Sequence, residues 1–193
     1  MTNPFVSAPG AEARRRSLRS LGRRVALAVA GAVVVAAAAQ VAVPLTFTRV
    51  PLTLQPLAVL VVGGILGASG GLAALVTYLA MGMSGLPVFA EGFGGAVHLV
   101  GPTGGYLLAY PVAAFATGRI AREGAGIGRL LAACAAGMLI IHVGGFAQLS
   151  ILTGDPANAL RLGFYPFVTN DLLKIGLAAL VLMAARPGTR SLR

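Results

Sequence analysis

Residues 50–90 carry no charge at all. A helix that crosses a bilayer uses about 20 residues, so this run is too long for one span, and G-A-S-G-G at 67–71 breaks it in the middle. The pattern predicts two short spans, about 56–66 and 71–83, joined by a tight turn. The rest of the chain agrees: of its 193 residues 57% are hydrophobic and 10% are charged, with a mean hydropathy of +0.86. Soluble domains carry about 25% charged residues. Only helices or a closed barrel satisfy the backbone in lipid, and long Ala/Leu/Val/Gly runs without period-two alternation select helices. The expected fold is an all-α bundle of six transmembrane helices.

The other four spans are expected at 25–45, 104–119, 128–153 and 167–185. Residues 1–24 read as a basic, flexible cytoplasmic tail, 25–186 as the membrane domain, and 187–193 as a second basic tail. Arg-rich residues ahead of an apolar stretch, with A-A-A-A-Q at 36–40, also resemble a signal peptide. The apolar run continues through Val43 at full spanning length, which favours an uncleaved span.

Orientation follows from the cations, because cytoplasmic loops are enriched in Lys and Arg. With the N-terminus inside, Arg14, Arg15, Arg16, Arg19, Arg23, Arg24, Arg119, Arg122, Arg129, Arg186, Arg190 and Arg193 fall on the inner side. Only Arg49 and Arg161 fall outside, and Lys174 is within a span. Both termini are therefore expected in the cytoplasm, with the loops at 46–55, 84–103 and 154–166 facing outward. The net charge of +10 does not point to nucleic acid, since the basic cluster is not interleaved with aromatics; it reads as an anchor on anionic membrane lipid.

Span six opens F-V-T-N-D-L-L-K, with Asp171 and Lys174 three residues apart and so on one helical face. A charge near the centre of a bilayer costs at least ~2.5–3.5 kcal/mol, so the pair either closes a helix end as a structural ion pair or meets a polar ligand. Its expected place is near the outer face, below loops rich in glycine and aromatics: Phe47, Phe89, Phe93, Phe164 and Tyr165, with Tyr106 and Tyr110 atop span four. Apolar walls with a few convergent polar groups are the usual make-up of a small-molecule pocket.

Other chemistries find less support. No G-x-x-x-x-G-K-[ST] loop is present, and the glycines at 92–105 follow no predicted strand, which removes a dinucleotide fold. Cys134 is the single cysteine, and two histidines with five carboxylates, widely scattered, give no metal-ligand set. G-M-S-G at 82–85 matches the G-x-S-G of rhomboid-type intramembrane serine proteases, with His142 or His98 as a base. Leu86-Pro87 directly after Ser84 favours a turn there instead, and His142 reads as a hydrogen-bonded core residue. Ala26–Ala30, Ala28–Ala32 and Ala32–Ala36 give span one small-x-x-x-small spacings, suited equally to internal packing or to a partner helix.

V-P-L-T-L-Q-P-L-A-V-L at 50–60, Y-L-A-M-G-M-S-G-L-P-V-F at 78–89, G-P-T-G-G-Y-L at 101–107 and N-D-L-L-K at 170–174 together resemble the BioY family. These are the biotin-specific substrate-binding (S) components of energy-coupling factor transporters. The resemblance runs from about residue 25 to 185. It implies a non-enzymatic subunit, without cofactor or metal, that captures biotin at the outer face of a bacterial cytoplasmic membrane. Its implied partners are a transmembrane coupling (T) protein and cytoplasmic ABC-type ATPases; the alternative is a self-sufficient secondary transporter. The implied ligand-binding residues are Asp171, Lys174, Phe89, Phe93, Gly92, Gly94, Tyr106, Tyr165 and Gln55. Asp171 would accept from a ureido N–H, and Lys174 would donate to the ureido oxygen or pair with the tail carboxylate. The resemblance also assigns docking of the coupling protein to Ala28, Ala32 and Ala36.

Overall fold

A computed structural model describes residues 9–185. Among these residues the regular structure is helical apart from one small hairpin. In order it forms α1 (Pro9–Gln40), β1 (Ala42–Leu45), β2 (Thr48–Thr53), α2 (Gln55–Met83), a single 3-10 turn (Ala90–Gly92), α3 (Val97–Val100), α4 (Gly104–Ile120), α5 (Ile127–Thr153), α6 (Pro156–Gly163) and α7 (Val168–Ala185). Among the described residues four helical segments are long and apolar enough to cross a membrane: Leu18–Gln40, Gln55–Met83, Ile127–Thr153 and Val168–Ala185.

The uncharged run at 50–90 behaves as its glycines require. Helix α2 is interrupted at Gly67, whose φ of 74° and ψ of 177° lie outside helical space in a region open to glycine almost alone. The chain doubles back there. A methyl group placed on Gly71 would come 2.8 Å from the Gly63 Cα, a contact that a straight helix rising 1.5 Å per residue would never make. The two arms, 55–66 and 68–83, thus lie side by side.

Close helix approach recurs through the bundle. A methyl on Gly63 would sit 2.5 Å from the Ala114 carbonyl oxygen of α4, and one on Gly144 of α5 would sit 2.5 Å from that of Gly105. Backbones that touch in this way hold helices together where lipid supplies no hydrophobic drive. One aliphatic cluster, including Leu60, Leu130, Cys134, Ala179 and Leu182, fills the end near the 120–127 loop. The other cluster, richer in aromatics with Tyr78, Phe89, Tyr106, Tyr110 and Phe167, lies towards the β-hairpin.

Three expectations need correcting. Span one does not run to Leu45: α1 ends at Gln40 and residues 42–45 pair antiparallel with β2, Val43 opposite Leu52. The hairpin was hidden by Pro44 and Pro51, which argue against strands; a two-stranded ribbon is all edge and tolerates them. At the other end of α1, helix extends back to Pro9 through most of the expected 1–24 tail; residues 1–8 and the 187–193 tail lie outside the described residues. The loop at 154–166 contains α6, whose start is a standard signature: Asp155 accepts from the Ala157 N–H at 2.8 Å, with Pro156 next.

The alanines of α1 are divided between its two faces. Ala28 and Ala32 are 8% and 0% exposed, and Ala36 is half-buried against the same core. Their face of α1 is seated on the chain's own α2, where a methyl on Gly31 would come 2.8 Å from the Ala74 Cβ. Within residues 18–40 of α1, the exposed alanines are Ala26, Ala30 and Ala37.

Candidate functional site

A cavity of about 200 Å3 opens under the hairpin end of the bundle. Its rim is built by the hairpin (Arg49, Val50, Thr53) and the 89–93 segment, its walls by Tyr106 and Tyr110 of α4, and its base by Met138, Ile141 and His142 of α5 with Asp171 and Lys174 of α7. Helices α4 and α7 line it with their first two turns and α5 with its middle.

The two charges of α7 are both 5% exposed. Lys174 Nζ donates to Asp171 Oδ1 at 2.8 Å, the one-turn contact that their spacing predicts. The second oxygen, Oδ2, lies 2.7 Å from His142 Nε2 of α5. Each carboxylate oxygen thus has one donor, and each retains a lone pair. Lys174 keeps N–H groups beyond the one given to Asp171. A buried ion pair gives weak net stability but is costly to break, so its presence on a cavity wall is more informative than its energy.

A second polar chain runs through Gln55 at the start of α2. Gln55 Nε2 donates to the Tyr78 hydroxyl at 2.5 Å, while its Oε1 accepts from the Thr53 hydroxyl at 3.2 Å. Tyr78 passes the connection on, donating to the Val88 carbonyl at 3.0 Å. The neighbouring Phe89 packs edge-on against Tyr78, with ring centroids 5.6 Å apart. Its ring rests on Gly82, where any side chain would overlap it. Phe93 stacks on His98 at 5.0 Å. Between the two phenylalanines, Glu91 and Gly92 adopt φ values of 59° and 74°, turning the segment sharply over the cavity mouth. Glu91 is the one non-glycine among the described residues with this left-handed backbone.

Six of the nine ligand-binding residues named from the sequence line this cavity together: Asp171, Lys174, Phe89, Phe93, Tyr106 and Gln55. Tyr106 is braced on Gly145 and donates to the Gly163 carbonyl at 2.6 Å. Gly92 and Gly94 shape the loop without lining the cavity; a side chain on Gly94 would overlap the Leu86 carbonyl. Tyr165 is 62% exposed and outside the lining. Its neighbour Phe164 turns inward, 5.0 Å from the His142 ring.

Sequence reading missed Arg49, His98 and His142 as lining residues. For His142 no local signal existed, because its partner Asp171 is on another helix 29 positions away. For Arg49 the signal was visible: it is the one cation in the first loop expected to face outward. The serine-protease geometry is not formed. The Ser84 hydroxyl donates to the Met81 carbonyl at 2.7 Å, and His142 is engaged by Asp171. Among the described residues, no three His, Cys, Asp or Glu side chains come together as a metal site.

A family model described as the BioY family matches residues 12–191. Biotin transporter BioY of Thermotoga maritima is 42% identical over 132 residues, covering 68% of this chain and 78% of that protein. Biotin transporter BioY of Rhizobium etli is 30% identical over 170 residues, covering 83% and 91%. Among solved structures, the S-component for biotin from an ECF-type ABC transporter matches with a TM-score of 0.77 at 22% identity, over 88% of this chain and 95% of that one. That likeness is one of fold.

Proposed function

The chain belongs to the BioY family, and on that footing we propose that it captures biotin in the cavity under its hairpin end, as the S component of an ECF-type biotin uptake transporter. The observation that carries this reading is the Asp171–Lys174 pair, buried at the base of that cavity and joined at 2.8 Å. It offers an acceptor and a donor side by side, the complement of the adjacent N–H and C=O of a cyclic urea. Asp171 accepts from a ureido N–H, and Lys174 donates to the ureido oxygen. Phe89, Tyr106 and Tyr110 cover the apolar rings of the ligand. The tail carboxylate then points to the rim, where Arg49 supplies the opposite charge.

In the membrane, the two arms of α2 count separately, which makes six spans with α1, α4, α5 and α7. The Gly67 reversal and the twelve-to-two distribution of cations support that count and an N-terminus and C-terminus in the bacterial cytoplasm. The cavity then opens outward. A coupling T protein and ABC-type ATPases energise uptake, since the chain has no ATP-binding loop of its own. The T protein meets the small residues of α1, with Ala26, Ala30 and Ala37 on its exposed face beside Ala28, Ala32 and Ala36.

Calorimetry on the purified chain alone tests the reading. One biotin per chain is expected, with affinity lowered about thirty-fold or more in Asp171→Ala, the equivalent of about 2 kcal/mol. No binding by the wild-type chain, or full affinity in the variant, would falsify it. Docking has its own test: Ala30→Leu should leave biotin binding intact and abolish uptake in cells carrying the partner subunits.

A further inference from the structure

The third member of the buried cluster, His142, has no part in the reading so far, although it lines the cavity and touches Asp171. Its hydrogen bond fixes more than its position. With 2.7 Å between His142 Nε2 and Asp171 Oδ2, one of the two atoms bears the proton. Asp171 already accepts from Lys174 on its other oxygen, and a carboxylate that accepts on both oxygens takes the hydrogen bond of this contact from Nε2–H. The second ring nitrogen, Nδ1, is buried and without a partner. Around the ring are aromatic neighbours, Phe164 at 5.0 Å and Tyr106 edge-on at 6.4 Å. A proton on Nδ1 would be a buried donor with nothing to donate to, which costs more than a bare acceptor. The ring therefore fits as the neutral Nε2–H tautomer.

We infer that His142 is a positioning and specificity-determining residue, which as a neutral Nε2–H donor clamps Asp171 so that the carboxylate meets the ligand as a fixed acceptor in a cluster of zero net charge. The inference rests on the function proposed above. Pinned from α5 on one oxygen and from α7 on the other, the carboxylate cannot rotate to chelate a cation. A ligand head with neutral N–H groups is satisfied by the remaining lone pairs. A cationic head of the same shape meets the Lys174 ammonium and finds the carboxylate already shared between two donors.

The measurement is binding of biotin and of its guanidine analogue 2-iminobiotin, a cation at neutral pH, to wild type and to three variants by calorimetry. Glutamine can place its amide nitrogen where Nε2 lies, whereas asparagine places it nearer to Nδ1. His142→Gln should keep biotin affinity within about threefold and keep the preference for biotin. His142→Asn and His142→Leu should bind biotin about tenfold or more weakly, the loss of one hydrogen bond to a charged group. Their preference for biotin over the analogue should narrow, because Oδ2 is freed. Should His142→Leu fail to fold, His142→Asn carries the comparison. Equal losses in the Gln and Asn variants, or an unchanged preference in all of them, would overturn the inference and reduce His142 to a packing residue. Wild-type chain that binds no biotin instead removes the function itself, and this inference with it.

Discussion

The two ends of the bundle use their side chains in opposite ways. Near the 120–127 loop, Leu60, Leu130, Cys134, Ala179 and Leu182 fill the space between the helices with small and aliphatic groups. Near the hairpin, α4 and α5 still touch at Gly105 and Gly144, but tyrosines and phenylalanines line a gap among the other helices, and the polar groups facing it find partners with one another: Asp171 with Lys174 and His142, Gln55 with Thr53 and Tyr78. Polar groups that are satisfied in pairs lose little by staying buried, and they leave a cavity that apolar side chains would have closed. Met138 joins the two ends, belonging to the aliphatic cluster while forming part of the cavity base.

The strongest way to break this contrast is at the ion pair. Lys174→Ala leaves the Asp171 carboxylate buried with His142 alone, and removal of one partner from a buried pair costs about 3–5 kcal/mol. Both stability in detergent, by thermal unfolding, and biotin affinity should fall. Lys174→Met with Asp171→Leu separates the two effects: an apolar replacement of the pair should recover part of the stability, less the cost of the His142 N–H left unpaired, while binding stays lost. If the double variant binds biotin, the hollow end does not depend on its charges. At the packed end the dissociation runs the other way. Leu130 is fully buried, and Leu130→Ala should cost about 2–4 kcal/mol of stability by cavity formation, with biotin affinity within about threefold of wild type. A large loss of affinity would show that the two ends are not separable.

An intermediate effect belongs to the relay that ties cavity to loop. Tyr78→Phe leaves both the Gln55 amide and the Val88 carbonyl without the hydroxyl between them. At about 1 kcal/mol for each group, a destabilisation of about 1–2 kcal/mol is expected. Because Val88 precedes Phe89 over the mouth, biotin dissociation measured by stopped flow should speed up several-fold. An unchanged dissociation rate would mean that Phe89 is held by its packing on Gly82 alone.

How much of this was legible before folding also divides between the ends. Runs of apolar residues, their breaks and their flanking arginines carry helices and turns, because those depend on local composition: the reversal at Gly67 is written in G-A-S-G-G, and the Asp171–Lys174 contact in a spacing of three. What depends on tertiary neighbours was not visible. No pattern in α5 announces that His142 faces Asp171, and the alanines of α1 look alike on every side until α2 covers Ala28 and Ala32. The residues 84–103 read as loop because their helical pieces are short, three and four residues at Ala90–Gly92 and Val97–Val100. Such pieces are held by contacts such as the Phe93–His98 stack, not by propensity.

The smallest effect is expected at Ser84, and its smallness is what sharpens the contrast. Ser84 lies at the hairpin end, in a sequence that imitates a protease nucleophile, yet its side chain is exposed and donates to the Met81 carbonyl one turn back. A hydroxyl in that position competes with water for the same acceptor, so removing it leaves no group buried and unpaired. Ser84→Ala should change stability by no more than a few tenths of a kcal/mol, the scale of surface substitutions, and leave the dissociation constant for biotin unchanged in calorimetry. The hollow end would then owe its behaviour to the polar groups it buries, not to polarity at that level of the membrane in general. A tenfold loss in this variant would show the reverse: the 82–85 turn, outside the cavity lining, would be acting on the ligand through the loop that follows it.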